Sequence, residues 1–479
     1  MVPLLLILIP LLSGLAAFII KADKGAKNWA VLSSVITLVI AVYGAVLTKD
    51  QGGLTFEEEW IPSMGSSFAL SMDGMAKMLA LLTAIAMPLI FISSYRNEYS
   101  RPGNFYGLML LTQAGMLGVF LSADLLLFYF FWELALIPAY FLCSGWGGER
   151  RIAVTFKFFI YTFLGSLLML VGILYVYYQT PGTHSFAIAD IYNLSLSKGE
   201  QAFAFWMFFI AFAIKMPVFP FHTWQPDTYE QSPTAVTMVL SGVMVKMGVY
   251  ATLRWLIPVF PDAVERFDQV VIILAVIGML YASLIAIRQD DLKRLIAYSS
   301  IAHIGLMCAA IFAQQRVGLE GVMIQMFNHG VNVIGLWIVA DAIERQTGTR
   351  KFSELGGLAQ KAPTLAILLL VMALANVALP LTNAFIGEFL MFNGLFKYDF
   401  WMAAIACISI IFAAVYTLWM VQKIFYGNTV ASTSAAREAN SNVIFCLAIL
   451  AIVVLVLGVY PQPMIDLTQD SVLRILAKI

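Results

Sequence analysis

The stretch Phe208-Phe-Ile-Ala-Phe-Ala-Ile-Lys-Met-Pro-Val-Phe-Pro-Phe-His-Thr-Trp-Gln-Pro-Asp227 is an apolar run that ends on a lysine, Lys215, and then on three prolines. Proline lacks a backbone donor and clashes with the preceding helical turn. The segment from Pro217 to Pro226 is therefore predicted to interrupt a helix at the lysine. Interrupted apolar helices of this kind mark the ion and substrate sites of membrane transporters.

The composition agrees with a membrane environment. Of the 479 residues, 61% are hydrophobic and only 12% are charged, whereas a soluble protein carries about 25% charged residues. The formal net charge is zero, so a nucleic-acid partner is not indicated. Residues 1–20 are apolar without a preceding basic segment, which predicts a retained helix rather than a cleaved signal peptide.

The four cysteines are far apart in apolar runs: Cys143, Cys308, Cys407 and Cys446. Iron–sulfur ligation and a disulfide framework both need clustered or paired thiols. Neither is expected in this chain.

Apolar runs of about 20 residues are long enough to span a bilayer as helices. The runs predict about fourteen spans, near 2–20, 28–47, 74–94, 104–121, 124–143, 154–178, 203–222, 233–257, 268–287, 293–313, 319–342, 363–391, 400–424 and 441–460. Odd-numbered loops hold about 17 Lys and Arg and even-numbered loops about 6, so the positive-inside rule predicts that odd loops are cytoplasmic and that both termini are outside.

Four ionisable residues lie deep within apolar spans: Glu133, Lys215, Lys246 and Glu388. Charges at mid-membrane are costly and therefore mark functional candidates. Burial lowers the pKa of a lysine and a nearby carboxylate raises it again, so a lysine with a mobile acidic partner can load and release a proton. The alternative is a set of static ion pairs, or of side chains that reach water at helix ends.

Three of the four histidines, His222, His303 and His329, lie in or beside apolar spans, and His184 lies in a predicted outer loop. Histidine titrates near neutral pH, and its company with buried Lys and Glu favours a proton path over simple packing. A metal site is less favoured, because no two of these histidines have the i,i+4 spacing of helical ligands.

A second Pro-interrupted span is predicted around Pro380, close to Glu388. Lys215 and Glu388 are 173 positions apart, and the same offset applied to Glu133 falls within one turn of His303. The pattern predicts an all-α polytopic fold with two inverted five-helix repeats, each with a discontinuous helix. The predicted divisions are 1–100 (helices 1–3), 101–260 (helices 4–8), 261–426 (helices 9–13) and 427–479 (helix 14 and a tail).

Four motifs carry a family resemblance: Phe131-Trp-Glu133, Lys215-Met-Pro with His222-Thr-Trp224, Val245-Lys-Met-Gly-Val-Tyr250, and Gln289 to Gly305. The chain resembles the antiporter-like proton-translocating subunits of respiratory complex I, the NADH:quinone oxidoreductase. Two of these subunits, L and N, usually carry Lys in the second broken helix, where this chain has Glu388. The chain also ends soon after its fourteenth span, without the lateral helix of L, so it is similar to the third member. Gln225 and Tyr229 depart from the Leu and His that relatives commonly have, which leaves the role of a second histidine there open.

The resemblance implies a catalytic set for proton translocation in which Glu133 tunes Lys215, Lys246 connects through His303 and His329, and Glu388 passes the proton outwards. His222 and Asp227 are secondary candidates. It implies no cofactor in this chain, with NADH, FMN, iron–sulfur clusters and quinone on partner subunits. The expected partners are other complex I membrane subunits, especially L and N and the lateral helix of L, in a bacterial inner membrane.

Two related functions stay open from the sequence. A subunit of an Mrp-type cation/proton antiporter and a membrane subunit of an energy-converting hydrogenase share this ancestry. The glycine pairs Gly147-Gly148 and Gly356-Gly357 lack the spacing and strand context of a dinucleotide-binding loop. A scaffold with inert buried charges is the least favoured function.

Overall fold

A computed structural model describes residues 1–47 and 52–478, and within them the chain is mostly helical. The helices are α1 (Val2–Ala17), α2 (Asp23–Val42), α3 (Gly74–Ser93), α4 (Pro102–Leu121), α5 (Leu125–Trp146), α6 (Arg151–Gln179), α7 (Ile188–Ile191), α8 (Lys198–Lys215), α9 (Gln225–Gln231), α10 (Thr234–Val239), α11 (Lys246–Ala251), α12 (Pro261–Ile287), α13 (Leu292–Phe312), α14 (Arg316–Thr347), α15 (Pro363–Asn376), α16 (Asn383–Tyr398), α17 (Phe400–Phe425), α18 (Ala431–Ser434), α19 (Ser441–Val459) and α20 (Gln462–Leu476). Short 3-10 turns cover Gly52–Leu54, Pro62–Met64, Phe352–Glu354 and Leu358–Gln360.

Eleven helical segments in the described ranges are long and apolar enough to cross a membrane, judged by length and composition. The remaining predicted spans correspond to α1, to α8 with the interruption that follows it, and to the pair α15 and α16. All fourteen predicted segments therefore contain a helix, and the prediction of an all-α polytopic fold is confirmed.

Both predicted interruptions are present. α8 ends at Lys215 and α9 begins ten residues later, with Pro217 and Pro220 in the gap. α15 ends at Asn376 and α16 begins at Asn383, and in this gap Ala378 and Leu381 have φ of 55° and 74°. Side-chain sterics make such angles uncommon, so the chain changes direction sharply here. In each predicted five-helix repeat the interruption falls in the fourth helix, which supports the division at 101–260 and 261–426; that division stays a prediction.

The eighth span is continuous but irregular. α10 passes into a π-helical turn at Leu240–Met244, then into α11, then into a second π-helical turn at Thr252–Leu256. Every residue of Thr234–Leu256 is buried except Arg254, which is partly buried, so the irregularity lies inside the bundle. Such π-turns occur frequently at functional sites.

The loops separate cleanly into two faces. Odd-numbered loops contact one another: Gly148 N donates to Gln231 O (2.7 Å) and Gly357 N donates to Tyr426 O (3.0 Å). We call this side the odd face. The opposite, even face holds both described ends of the chain, because the Met1 amino group donates to Gly53 O (3.2 Å) and Lys478 Nζ donates to Tyr192 O (2.9 Å).

The sequence reasoning missed two elements of the even face. An antiparallel hairpin joins β1 (Thr55–Ile61) to β2 (Ser66–Ser71) and contains the acidic residues 57–59. The helix α20 lies beyond the fourteenth span and packs Val472 and Ile475 against α3 and α14. Both elements cover the even-face ends of central helices.

Candidate functional site

A continuous set of titratable side chains lies in the interior. Lys246 Nζ is 2.7 Å from His329 Nδ1, and His303 Nδ1 is 3.0 Å from Glu388 Oε1. The rings of His329 and His303 are adjacent, with centroids 5.6 Å apart. We call Lys246, His329, His303 and Glu388 the buried seam. All four side chains are buried, and they come from the separate helices α11, α14, α13 and α16.

The π-turn of the eighth span positions Lys246. Val245 N donates to Leu240 O, five residues earlier, rather than to the residue four earlier as in an α-helix. Ser241 O then accepts a hydrogen bond from Lys246 Nζ at 2.8 Å. The widened turn therefore supplies a backbone carbonyl that holds the ammonium group at the seam.

A glycine contact brings α14 against this span. A Cβ placed on Gly330, next to His329, would lie 2.8 Å from Gly242 O. A side chain at this position would push the two helices apart, because real Cβ atoms essentially never approach under 3.0 Å. The absence of a side chain at Gly330 allows the close approach of Lys246 and His329.

Polar residues on one face of α14 form hydrogen bonds with α16, the second half of the broken helix. Gln325, Asn328, His329 and Asn332 share a face, because residues three, four and seven apart align on a helix. Asn328 Nδ2 donates to Asn383 O (2.7 Å) at the start of α16, and Gln325 Nε2 donates to Glu388 Oε1 (3.4 Å). The sequence analysis did not single out these amides, although their spacing in an apolar helix was a visible signal.

Lys215 and Glu133 form the second part of the candidate site. Lys215 Nζ is buried at the end of α8, lies 5.3 Å from the centroid of the Trp132 ring, and has no hydrogen-bond partner among the described residues. Glu133, next to Trp132 on α5, attracts Lys215 electrostatically. No ion pair within 4 Å joins the two in the described ranges. The predicted pair is therefore near but open in this structure.

The secondary candidates lie at the odd face rather than in the seam. His222, in the gap between α8 and α9, is adjacent to the rings of Phe219 (5.7 Å) and Tyr281 (5.3 Å). Asp227 pairs with Lys157 Nζ at 2.9 Å and with Arg294 at 3.0 Å. His184, which was not a candidate, contacts Thr180 O through Nδ1 at the even face.

The ion pairs at Asp227 extend into a network between the two predicted repeats. Arg294 also contacts Glu230 at 2.8 Å, and Arg350 contacts Glu230 at 2.9 Å and Asp291 at 2.5 Å. Glu230 belongs to α9. Arg294 lies on α13, Asp291 directly precedes α13, and Arg350 follows α14. The network therefore ties the second half of the first broken helix to the other repeat.

Metal chemistry finds no support in the donor set. Within residues 1–47 and 52–478, no group of three or more His, Cys, Asp or Glu side chains is arranged to hold a metal ion. The seam joins a lysine and a glutamate through two imidazoles, which is a set suited to passing protons between groups.

The sequence of the chain is similar to those of a known protein family and of its members. The sequence model of a family described as NADH:quinone oxidoreductase/Mrp antiporter, transmembrane, matches residues 122–413. The chain is 37% identical to NADH-quinone oxidoreductase subunit M of Rhodobacter capsulatus over 465 residues, which cover 94% of this chain and 90% of that protein. It is 35% identical to F(420)H(2) dehydrogenase subunit M of Methanosarcina mazei, over 98% of this chain and 96% of that protein.

A solved structure has the same architecture. A chain of respiratory complex I from Thermus thermophilus with bound NADH superimposes with a TM-score of 0.91 at 30% sequence identity, covering 99% of this chain and 100% of that one. The resemblance deduced from the motifs is thus confirmed over nearly the whole length.

Proposed function

Since the chain belongs to the NADH:quinone oxidoreductase/Mrp antiporter transmembrane family, we propose that it translocates protons as the subunit M of an NADH:quinone oxidoreductase, a multi-subunit membrane complex. The observation that carries this proposal is the buried seam. Four titratable side chains from four helices meet in an apolar interior, where isolated charges are costly. Their contacts provide the hydrogen-bonded steps that proton transfer needs.

The seam supports an ordered transfer between Lys246 and Glu388. Lys246 Nζ lies 2.7 Å from His329 Nδ1 and can donate a proton to it, and His303 Nδ1 lies 3.0 Å from Glu388 Oε1 and can donate to the carboxylate. Between the two imidazoles, a ring rotation or a bridging water completes the path. Each imidazole accepts a proton on one nitrogen and releases one from the other, so the net charge of the seam changes only at its ends.

Lys215 supplies the seam from the first repeat, and Glu133 controls its proton affinity. An approaching carboxylate stabilises a charged lysine, and a withdrawing one favours release of the proton. The open arrangement of Glu133 and Lys215 corresponds to the withdrawn state. His222 and Asp227, at the odd face, stand at the side from which Lys215 is supplied.

The odd face is proposed to be the cytoplasmic face of a bacterial inner membrane, with both termini outside, because odd loops carry most of the Lys and Arg. We further propose that the redox cofactors, namely NADH, FMN, iron–sulfur clusters and quinone, belong to partner subunits. Subunits L and N, with the lateral helix of L, are the proposed neighbours. The four cysteines are consistent with this division, since they lie on α5, α13, α17 and α19 and do not cluster.

The related functions share the same seam. The family description includes Mrp antiporters, and one relative is named for F(420)H(2) rather than NADH. These names support the proposal that the electron donor is determined by the associated subunits. A cation/proton antiporter subunit or an energy-converting hydrogenase subunit would need the same buried residues and would differ in what drives them.

The test is proton pumping by the assembled complex with Lys215→Ala. Pumping into inverted membrane vesicles during NADH oxidation should be abolished or severely reduced, with the amount of assembled complex unchanged. The matched control is Lys198→Ala, which removes an exposed lysine from the first turn of the same helix and should pump normally. Wild-type pumping by Lys215→Ala would remove this residue from the path and with it the proposed relay.

A further inference from the structure

A second set of polar side chains adjoins the seam on its odd-face side. Ser299 Oγ lies 3.0 Å from Tyr416 Oη, and Asn376 Nδ2 donates to both Ser299 Oγ and Thr417 Oγ1 at 3.1 Å. All four side chains are buried. We call Ser299, Asn376, Tyr416 and Thr417 the hydroxyl–amide cluster. None of them belongs to the seam, but Ser299 lies four residues before His303 and therefore on the same face of α13.

The cluster lies between the seam and the odd face. On α13, which begins at the odd face, Ser299 comes before His303. α15 starts from the odd-face loop and reaches Asn376 as its last residue. α17 continues beyond Thr417 to Phe425, whose neighbour Tyr426 contacts the odd-face residue Gly357. Three helices thus bring polar side chains together above the seam on the odd-face side.

Two cavities meet at Tyr416. One, of about 420 Å³, lies at the odd face and is lined by Arg288, Gln289, Asp290 and Trp419 together with Tyr416. The other, of about 20 Å³, is lined by His303, Glu388 and Tyr416. A cavity of about 10–15 Å³ on this measure holds one water molecule. Tyr416 therefore lines both an odd-face cavity and a water-sized cavity at Glu388.

We propose that the hydroxyl–amide cluster is a proton uptake route from the odd face to Glu388, with the Tyr416 hydroxyl as its gate. This route rests on the proton-translocating function proposed above and assigns to the second repeat its own access to that face. Tyr416 and Ser299 each accept one proton as they release another, so neither changes charge. Asn376 is a positioning residue, because its amide orients the two hydroxyls of Ser299 and Thr417 and carries no proton itself.

The route gives Glu388 access on two sides. The carboxylate is held by His303 and Gln325 within the seam and faces the small cavity under Tyr416. It receives protons from Lys246 along the seam and from the odd face, and each pumping cycle needs both supplies. The release of protons to the even face then begins at Glu388, which both supplies reach.

Cysteine accessibility in active complex tests the route. Ser299→Cys is introduced after the four native cysteines are replaced by alanine, and the probe is a membrane-impermeant, positively charged methanethiosulfonate. Labelling is expected in inverted vesicles, where the cytoplasmic face is outside, and not in right-side-out vesicles. Ser34→Cys, a buried serine of α2, is the control and should remain unlabelled. Failure of Ser299→Cys to label, or labelling from the opposite face, overturns the route.

Conservative substitutions test the gate. Tyr416→Phe keeps the ring and removes the hydroxyl, and Thr417→Val keeps the shape and removes the acceptor of Asn376. Each is expected to lower proton pumping about tenfold, with assembly retained. Thr112→Val, which removes a hydroxyl that donates to Leu108 O of its own helix, should pump normally. If Tyr416→Phe pumps like wild type while Lys215→Ala does not, the uptake route fails and the proposed function stands; if both pump normally, the proposed function fails as well.

Discussion

The substitution Gly330→Ala separates the two helices that hold the seam together. The added Cβ would lie 2.8 Å from Gly242 O, whereas ordinary contacts begin at 3.4 Å, so α14 and the eighth span must move apart by about 0.6 Å. The Leu82 side chain, 2.7 Å from the same Cβ, can rotate away, but the Gly242 carbonyl belongs to the backbone. The cost of this overpacking is about 1–3 kcal/mol.

This separation acts directly on proton transfer. The distance from Lys246 Nζ to His329 Nδ1, 2.7 Å in the native seam, would rise to about 3.3 Å, just beyond the 2.7–3.2 Å range of good hydrogen bonds. Loss of a hydrogen bond costs about 1–1.5 kcal/mol, and about 1.4 kcal/mol in a barrier is a factor of ten in rate. We therefore expect pumping to fall about tenfold while electron transfer and assembly continue.

The assay is the initial rate of vesicle acidification divided by the rate of NADH oxidation in the same preparation. Gly145→Ala is the matched control, because a Cβ at Gly145 would meet no atom of the described residues within 4 Å. It should pump normally and add slightly to stability, since Ala favours helix by up to about 1 kcal/mol. A Gly330→Ala complex with an unchanged ratio would refute the reasoning that helix spacing sets the seam contact.

Three further perturbations follow from contacts described above. Glu133→Gln should impair pumping, because Lys215 loses its charged partner; normal pumping by Glu133→Ala would mean that the residue is structural. Asp73→Asn leaves the partly buried Arg254 guanidinium, paired at 2.7 Å, without a charge partner, at a cost below the about 3–5 kcal/mol of a fully buried pair. Less assembled complex is expected on immunoblots, and Arg254→Met added to Asp73→Asn should restore it. The exposed Glu438 carboxylate accepts hydrogen bonds from the first two free backbone amides of α15, at 2.8 and 3.1 Å. Burial alone would raise the pKa of Glu438, but these hydrogen bonds lower its net pKa. The stabilisation that Glu438 gives is therefore present above the ordinary carboxyl pKa and is lost as the pH falls through the lowered pKa. Glu438→Gln should reduce that acid-side dependence in thermal unfolding, and an identical pH profile would contradict the cap.

Composition and proline placement were enough to predict the spans and the two interruptions. Apolar runs of bilayer length dictate helices because lipid offers no partner to free backbone groups. Pro217 and Pro380 favour the interruptions because proline removes a backbone donor and clashes with the preceding turn. A single proline is not sufficient, since Pro10, Pro88 and Pro138 lie inside continuous helices. The residues of the seam could be nominated for the same reason, since charges in apolar runs are rare and costly.

The pairing of those residues could not be predicted from the chain alone. Which helix crosses which is decided by close contacts such as Gly330 against Gly242, and these set Lys246 beside His329 and Glu388 beside His303. The π-turn before Lys246 has no signature in residue type. The cluster around Tyr416 escaped notice because hydroxyls and amides are unremarkable in a linear sequence and acquire meaning only when three helices converge.

The hairpin of the even face was not predicted from the sequence, for a different reason. β1 and β2 are only seven and six residues long, and their burial patterns do not alternate regularly. Period-2 patterning, the main signal for a strand, was therefore absent. α20 has 15 residues with polar side chains among them, so it lacks the run of about 20 apolar residues from which spans are predicted.

The position of the seam within its helices has an electrical consequence. Lys246, His303 and His329 all lie near the middle of their spans, so the seam runs along the plane of the membrane. Carrying one charge across a potential of 100 mV costs about 2.3 kcal/mol, but a displacement parallel to the plane crosses almost none of that field. Membrane voltage should thus act on proton uptake at Tyr416 and Lys215 and on proton release to the even face. The transfer from Lys246 to Glu388 should be nearly independent of voltage. A high potential would therefore slow the entry and exit of protons without removing protons already bound within the seam.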